Sequence, residues 1–328
     1  MFSQSSRFAA LLALCVVVLG AYVRIHDAGL GCPDWPGCYG QLVGVPEATH
    51  EIAAAEEAFP HAPVEVGKAW KEMAHRYLAG VLGLVILGLA FTAWRHRLAP
   101  RNLLALTCLV VLAQATLGML TVTELLRPGI VTLHLVGGMT TLALLTASAS
   151  LASPPDTHWA LQRDPGLRPF VLVALILLTV QIVLGGWVST NYAGLACVDL
   201  PTCGGDWWPT MDGEGFDPTR ALHMDASGQP IGNAALVAIH WAHRLGAIGA
   251  TLGILLLVWQ LARAGQRGWM IWLGALLLGQ LALGVANVLL HLPVVLAAAH
   301  NAGAALLLMT LVWLLAGLVP PRDRVVFR

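Results

Sequence analysis

The chain has 328 residues, of which 57% are hydrophobic and only 11% charged, and its formal net charge is zero. Soluble domains carry about 25% charged residues, so this composition excludes an ordinary soluble protein and defines an integral membrane protein. No basic run suggests nucleic acid as a partner.

Apolar stretches near the ~20 residues a bilayer requires recur at 8–24, 70–93, 103–122, 130–152, 170–190, 233–261, 269–290 and 295–318. This spacing predicts eight transmembrane helices. Lys and Arg set the orientation of such a bundle. Arg7, Arg95, Arg97, Arg101, Arg163, Arg168, Arg263, Arg267, Arg322, Arg324 and Arg328 fall on one side, with Asp156, Asp164 and Asp323 as its acids. That side is expected to be cytoplasmic and to hold both termini. Loops 25–69 and 191–232, which carry nearly all the other acids, then face outward.

The first stretch follows Arg7 as a cleavable signal would, but its flank recurs later. Gly20-Ala-Tyr-Val23 and Ala28-Gly-Leu-Gly-Cys32 reappear as Gly185-Gly-Trp-Val188 and Ala193-Gly-Leu-Ala-Cys197. The offset of 165 also pairs Asp34 with Asp199, Pro36 with Pro201 and Cys38 with Cys203. At 166, Gln114-x-x-x-Gly118 matches Gln280-x-x-x-Gly284, and His134 matches His300. Removing the first stretch would leave one half a helix short, so it is retained as a span. The chain therefore reads as an all-α membrane protein, two tandem pseudo-symmetric four-helix bundles in parallel orientation. The expected division is 1–152, a linker at 153–169 containing Pro154, Pro155, Pro165 and Pro169, and 170–328.

Ionisable groups within a span are costly and usually functional. His75, His134, His243 and His300 all fall in the outward part of even-numbered spans. A lone membrane histidine is usually an interhelical hydrogen-bonder. Four in repeat-related places at a shared depth point elsewhere. Imidazoles on facing helices of a four-helix bundle hold haem iron, so they are expected to form two axial ligand pairs, one per half. Zinc is disfavoured, because no membrane cysteine or second carboxylate completes a tetrahedral set.

Glu72 lies three residues before His75, on the same helical face. Aligning His75 with His243 puts His240 in its place. The asymmetry predicts a reactive site in the first half and an electron-carrying one in the second. Arg76 and Arg244, each following a ligand, are candidate partners for haem propionates or could snorkel to headgroups. The pairs Cys32–Cys38 and Cys197–Cys203 lie in outward loops, where disulfides persist. Each reads as a staple of about 2 kcal/mol, with a redox or gating role as the other reading for Cys32–Cys38. Cys15 and Cys108, alone in apolar runs, read as small core residues.

On Ala28-Gly-Leu-Gly-Cys-Pro-Asp-Trp-Pro-Gly-Cys38, Glu72-x-x-His75-Arg76, His134, His243-Arg244 and His300, the chain resembles the haem A synthase family over nearly its whole length. The resemblance implies an oxidoreductase of the inner (cytoplasmic) membrane that oxidises the C8 methyl of haem O to the formyl of haem A, with water as oxygen source, for cytochrome oxidase. It implies Glu72 as the essential carboxylate, His75 and His134 as ligands of the substrate haem O, and His243 and His300 as ligands of a resident haem B. It further implies a haem O synthase and cytochrome oxidase assembly factors as partners, besides membrane lipid and an unidentified electron acceptor. Cysteine pairs in both outer loops are not universal in the family. The alternative is a non-catalytic di-haem b-type electron-transfer cytochrome, which needs the four histidines but has no use for Glu72. A haem or metal transporter would need a polar pathway through the membrane, whereas the polar intramembrane groups here are confined to its outward part.

Overall fold

The computed structural model describes residues 2–98, 100–154, 159–162, 164–225 and 227–319. Pro155, Asp156, Arg163, Arg322, Asp323, Arg324 and Arg328 lie outside the described residues. The elements are α1 (Phe2–Ile25), α2 (Thr49–Ala58), α3 (Val66–Arg95), α4 (Arg101–Thr123), α5 (Pro128–Leu151), α6 (Trp159–Gln162), α7 (Arg168–Thr190), α8 (Asn233–Arg263), α9 (Arg267–Leu289) and α10 (Val294–Gly317). All but α2 and α6 are long and apolar enough to cross a membrane, which gives the eight expected spans. The described chain has no named strand, only isolated bridges in its loops.

Two spans are distinctly longer than the others. Helix α3 has 30 residues and α8 has 31. At 1.5 Å per residue each extends about 45 Å, against a hydrocarbon core of about 30 Å. Their N-terminal ends, which carry Glu72 and His240, therefore reach the cysteine loops. Helix α2 was not expected. Its first turn is closed by Glu51, whose carboxylate accepts from the Glu47 and Ala48 amides at 3.0 Å each, one half of a capping box whose N-cap, Ala48, supplies no side-chain acceptor. Ala55 of α2 packs in one cluster with Cys32, Cys38, Tyr39 and Met73, so this helix presses the first cysteine loop onto α3.

In the first half α1 packs on α3 and α5, and α4 packs on the same two. In the second, α7 packs on α8 and α10, and α9 does likewise. Across the halves α5 meets α10, α1 meets α10, and α5 meets α7. The repeat equates α1 with α7 and α5 with α10, so these contacts exchange partner for partner, as a two-fold arrangement requires. Thr132 of α5 and Thr190 of α7 share a hydrogen bond at 3.1 Å. Nearer the cysteine loops, Arg24 donates to the Ser189 carbonyl at 2.7 Å and Tyr192 donates to Asp27 at 2.6 Å.

One apolar core serves both halves, at the end of the helices away from the histidines. Ile86, Leu142, Leu145, Ile254, Leu257, Leu307 and Leu311 form part of it. Packing in lipid rests on close van der Waals fit rather than on escape from water. Large apolar residues consequently also line the outside; Leu84 and Phe91 are about 70% exposed (71% and 70%). For the same reason the reading of the lone cysteines fails for Cys15, which is exposed, while Cys108 is only partly buried. An apolar run in a span does not distinguish the core face from the lipid face.

Candidate functional site

His75 on α3, His134 on α5, His243 on α8 and His300 on α10 each lie in the first half of their helix. The helix preceding each in the chain order of spans presents a glycine to the imidazole. A Cβ at Gly20 would stand 2.8 Å from His75 Cε1, at Gly118 3.3 Å from His134, at Gly185 3.0 Å from His243, and at Gly284 3.1 Å from His300. At Gly20 a side chain would force the ring to move, and at the other three the ring would have to give by a few tenths of an ångström. His75 and His134 are close enough to interact electrostatically, as are His243 and His300.

Packing changes character at this level. Between 74 and 81 in α3, 133 and 138 in α5, 242 and 249 in α8, and 294 and 304 in α10, no residue is fully buried. Below this layer lies the shared apolar core, and above it lie clusters beneath the cysteine loops. Within the layer, His75, His134 and His300 each keep a buried Nδ1 without a hydrogen-bond partner. Polar nitrogens left so in a membrane interior are costly. Paired imidazoles with unused nitrogens, glycine against each ring, and a loosely packed layer between helices fit a flat, iron-bearing macrocycle. Among the described residues, no three His, Cys, Asp or Glu side chains group so as to hold a bare metal ion.

Glu72 is 5% exposed and lies about one helical turn before His75, toward the N-terminus of α3. Its Oε2 accepts from the Cys32 backbone amide at 2.9 Å, and its Oε1 forms a 2.5 Å ion pair with Arg76 Nη2. Arg76 Nη1 in turn donates to the carbonyls of Asp34 at 3.0 Å and Gly37 at 2.5 Å. The carboxylate is thus clamped between its own helix and the cysteine loop. The second half repeats the device with different chemistry. There the Cys197 amide donates to His240 Nδ1 at 3.4 Å. Arg244 donates to the carbonyls of Thr202 at 2.7 Å and Cys197 at 2.8 Å. Both arginines are therefore engaged by loop carbonyls, and of the two only Arg244 keeps a buried, unpartnered nitrogen, its Nε.

Each loop is closed by a disulfide. Cys32 is bonded to Cys38 and Cys197 to Cys203, with Cα atoms 4.8 Å apart in both. Inside each loop an aspartate gathers amides. Asp34 accepts from Tyr39 at 2.6 Å and Gly40 at 2.8 Å. Asp199 accepts from the Gly204 amide at 2.7 Å and the Gly205 amide at 3.0 Å, and also from the Thr202 hydroxyl at 2.6 Å. These bonds, led by that from Thr202, hold the Asp199 carboxyl well below the usual carboxylate range. In native protein from an oxidising compartment, thiol reagents are expected to reach at most Cys15 and Cys108, with four more cysteines labelled after reduction. Four reactive loop thiols before reduction, in protein never exposed to reductant, would exclude both bonds.

The structure adds residues that the sequence reading treated only as repeat markers or left aside. The four glycines against the imidazoles are one group. Gln114, Gln181 and Gln280, whose amides reach His134, His243 and His300, are the other. Their signal was present as Gln-x-x-x-Gly, an i, i+4 pair on one helix face.

Fold and site together define a multi-pass membrane protein with two paired-imidazole sites, one beside a buried carboxylate. Residues 6–312 match the model of the COX15-CtaA family, described as cytochrome oxidase assembly protein. The chain is 42% identical to the haem A synthase of Shewanella oneidensis, over 93% of each chain. It is 31% identical to that of Methylobacterium nodulans, over 91% of this chain and 87% of the relative. It is 28% identical to that of Rhizorhabdus wittichii, over 95% and 92%. The chain belongs to the COX15-CtaA family of haem A synthases.

Proposed function

We propose that this chain is a haem A synthase, an oxidoreductase that converts the C8 methyl of haem O to the formyl of haem A in the cytoplasmic membrane. The observation that carries the reading is the clamped Glu72 beside His75, matched in the second half by His240. His75 and His134 hold the substrate haem O through its iron; His243 and His300 hold a resident haem B. Haem B, when bound, supplies one-electron transfer toward the acceptor.

With water as oxygen source, the methyl and one water together lose four electrons and four protons as the methyl becomes a formyl. The residues of the first half supply positioning and charge. Glu72 as a carboxylate only accepts hydrogen bonds, so it can orient water toward the methyl and stabilise positive charge that develops there. The Cys32 amide and Arg76 hold that carboxylate in one rotamer and at one depth. The loosely packed layer accommodates the macrocycles, and the core beneath keeps the histidine helices in register. Arg244, with one buried donor left, is the better placed of the two arginines for a haem carboxylate. The proposed frame places 1–152 around haem O and 170–328 around haem B, with the 153–169 linker and both termini cytoplasmic. Delivery by a haem O synthase and hand-over to oxidase assembly factors complete the proposed setting.

Extracting haem from the purified protein and separating it by chromatography tests the reading. Haem O and haem A beside haem B are expected. Haem B alone, even when haem O is supplied, would leave only the electron-transfer cytochrome. His243→Ala and His300→Ala are each expected to reduce bound haem B severalfold and to change its low-spin spectrum. A normal haem B spectrum in both folded variants would overturn the ligand assignment.

A further inference from the structure

Just past each disulfide the chain makes the same tight turn. Cys38 and Gln41 exchange backbone hydrogen bonds at 2.8 and 3.0 Å, and their repeat mates Cys203 and Asp206 do so at 3.0 and 3.3 Å. The next two residues are Leu42-Val43 in the first loop and Trp207-Trp208 in the second. All four are between 70% and 81% exposed. The two tips share position and apolar character while differing in every residue. Single exposed apolar residues need no explanation, but apolar patches set among polar groups mark contact with a partner or a membrane.

The first tip is tied to α3 in a place that decides what it meets. The Gly44 amide donates to the Tyr77 hydroxyl at 2.8 Å, and Trp70 Nε1 donates to Glu47 Oε1 at 2.5 Å. Trp70 and Tyr77 are about two helical turns apart, and the same stripe continues through Leu84 and Phe91; all four are exposed. The chain from Gly44 to Glu47 thus lies along the face of α3 that meets lipid further down the helix. Its three residues, extended, span about 10 Å, which matches the rise of α3 between Tyr77 and Trp70 at about 1.5 Å per residue. Counting the ~20 residues that cross the hydrocarbon back from Trp94 reaches His75. Tyr77 therefore stands at the edge of the hydrocarbon, and Leu42-Val43, immediately before Gly44, are held at that depth.

The second loop is seated in the same way. Arg76 and Arg244 donate to the equivalent carbonyls of Gly37 and Thr202. Where α3 carries Tyr77, Leu84 and Phe91, α8 carries Leu245, Leu252 and Trp259, all exposed. We propose that the apolar tips of both cysteine loops are inserted into the bilayer interface, so that lipid covers Leu42-Val43 and Trp207-Trp208. Tryptophan is enriched at this level of a membrane, where one end of the ring is apolar and the other wet. The first loop, so anchored, is the one whose Cys32 amide holds Glu72 and whose Asp34 and Gly37 carbonyls hold Arg76. The bilayer thereby steadies the carboxylate clamp from outside the bundle.

The test uses full-length protein carrying Cys15→Ser and Cys108→Ser, with both disulfides intact. A spin label is placed at Val43→Cys or Trp208→Cys, and the protein is reconstituted alone into phosphatidylcholine and phosphatidylglycerol vesicles. Collision of the label with oxygen, which concentrates in lipid, is compared with collision with a water-soluble nickel chelate. Labels at Glu57→Cys, exposed on α2, and at Leu84→Cys, on the lipid face of α3, give the water and lipid references. At both tips the oxygen-to-nickel ratio is expected to exceed that at Glu57→Cys severalfold and to fall below that at Leu84→Cys. A ratio equal to that at Glu57→Cys would overturn the proposal and leave the tips as surfaces for a partner protein absent from the vesicles. Exclusion of both reagents would also overturn it, because the tips would then be covered by the protein itself. A lipid value at one tip alone would overturn it for the other.

Discussion

Glu72→Ala is expected to abolish haem A formation while haem B remains bound, because His243 and His300 lie in the other half of the molecule. Haem O, or a partly oxidised form of it, should accumulate in the variant, since His75 and His134 are unchanged. Glu72→Gln separates charge from shape. The amide keeps the size and can still accept from the Cys32 N–H, but it carries no negative charge and cannot take up a proton at neutral pH. If the carboxylate orients water or offsets positive charge at the methyl, Gln should be nearly as damaging as Ala. Haem analysis of membranes from each variant measures this. Near-normal haem A in Glu72→Gln would reduce the residue to a hydrogen-bonding support for the loop, and near-normal haem A in both would remove it from the chemistry.

Arg76→Met is expected to produce the largest loss of stability of any single change at this site. Glu72 and Arg76 form an ion pair with side chains only 7% and 13% exposed. Removing the cation leaves a buried carboxylate with one remaining strong partner and deprives the cysteine loop of its hold on α3. Breaking a buried pair from one side costs roughly 3–5 kcal/mol. Thermal unfolding of the purified protein should show this, and the double variant Glu72→Gln, Arg76→Met should be less destabilised than Arg76→Met alone because no unpaired charge is left. A loss within about 0.5 kcal/mol, the usual range for surface substitutions, would mean that the pair is not buried as described. The two experiments separate roles within one cluster: Glu72→Gln tests the reaction with the clamp largely kept, and Arg76→Met tests the clamp.

Local patterns in the chain carried much of this. Spans are legible because a bilayer demands about 20 apolar residues in a row, and each such run is read without knowing its neighbours. The repeat was legible because equal offsets align Gly20 with Gly185 and the cysteine loops with one another. Glu72 beside His75 was visible because three residues is one turn of helix, and short cysteine spacing in outward loops led to the two disulfides found. Packing between helices is another matter. Whether Cys15 faces lipid or core, whether Arg76 turns toward a loop or a macrocycle, and which imidazole meets Gln181 all depend on the rotation of one helix against the next. In lipid that rotation is set by close steric fit rather than by a polar and an apolar face. Sequence alone therefore determined the eight spans, the repeat, the histidine pairs and the lone carboxylate. The tertiary structure decided what holds that carboxylate, which glycines admit the rings and which histidine has a side-chain partner at Nδ1, because each is a contact between residues whose separation along the chain carries no signal of their meeting.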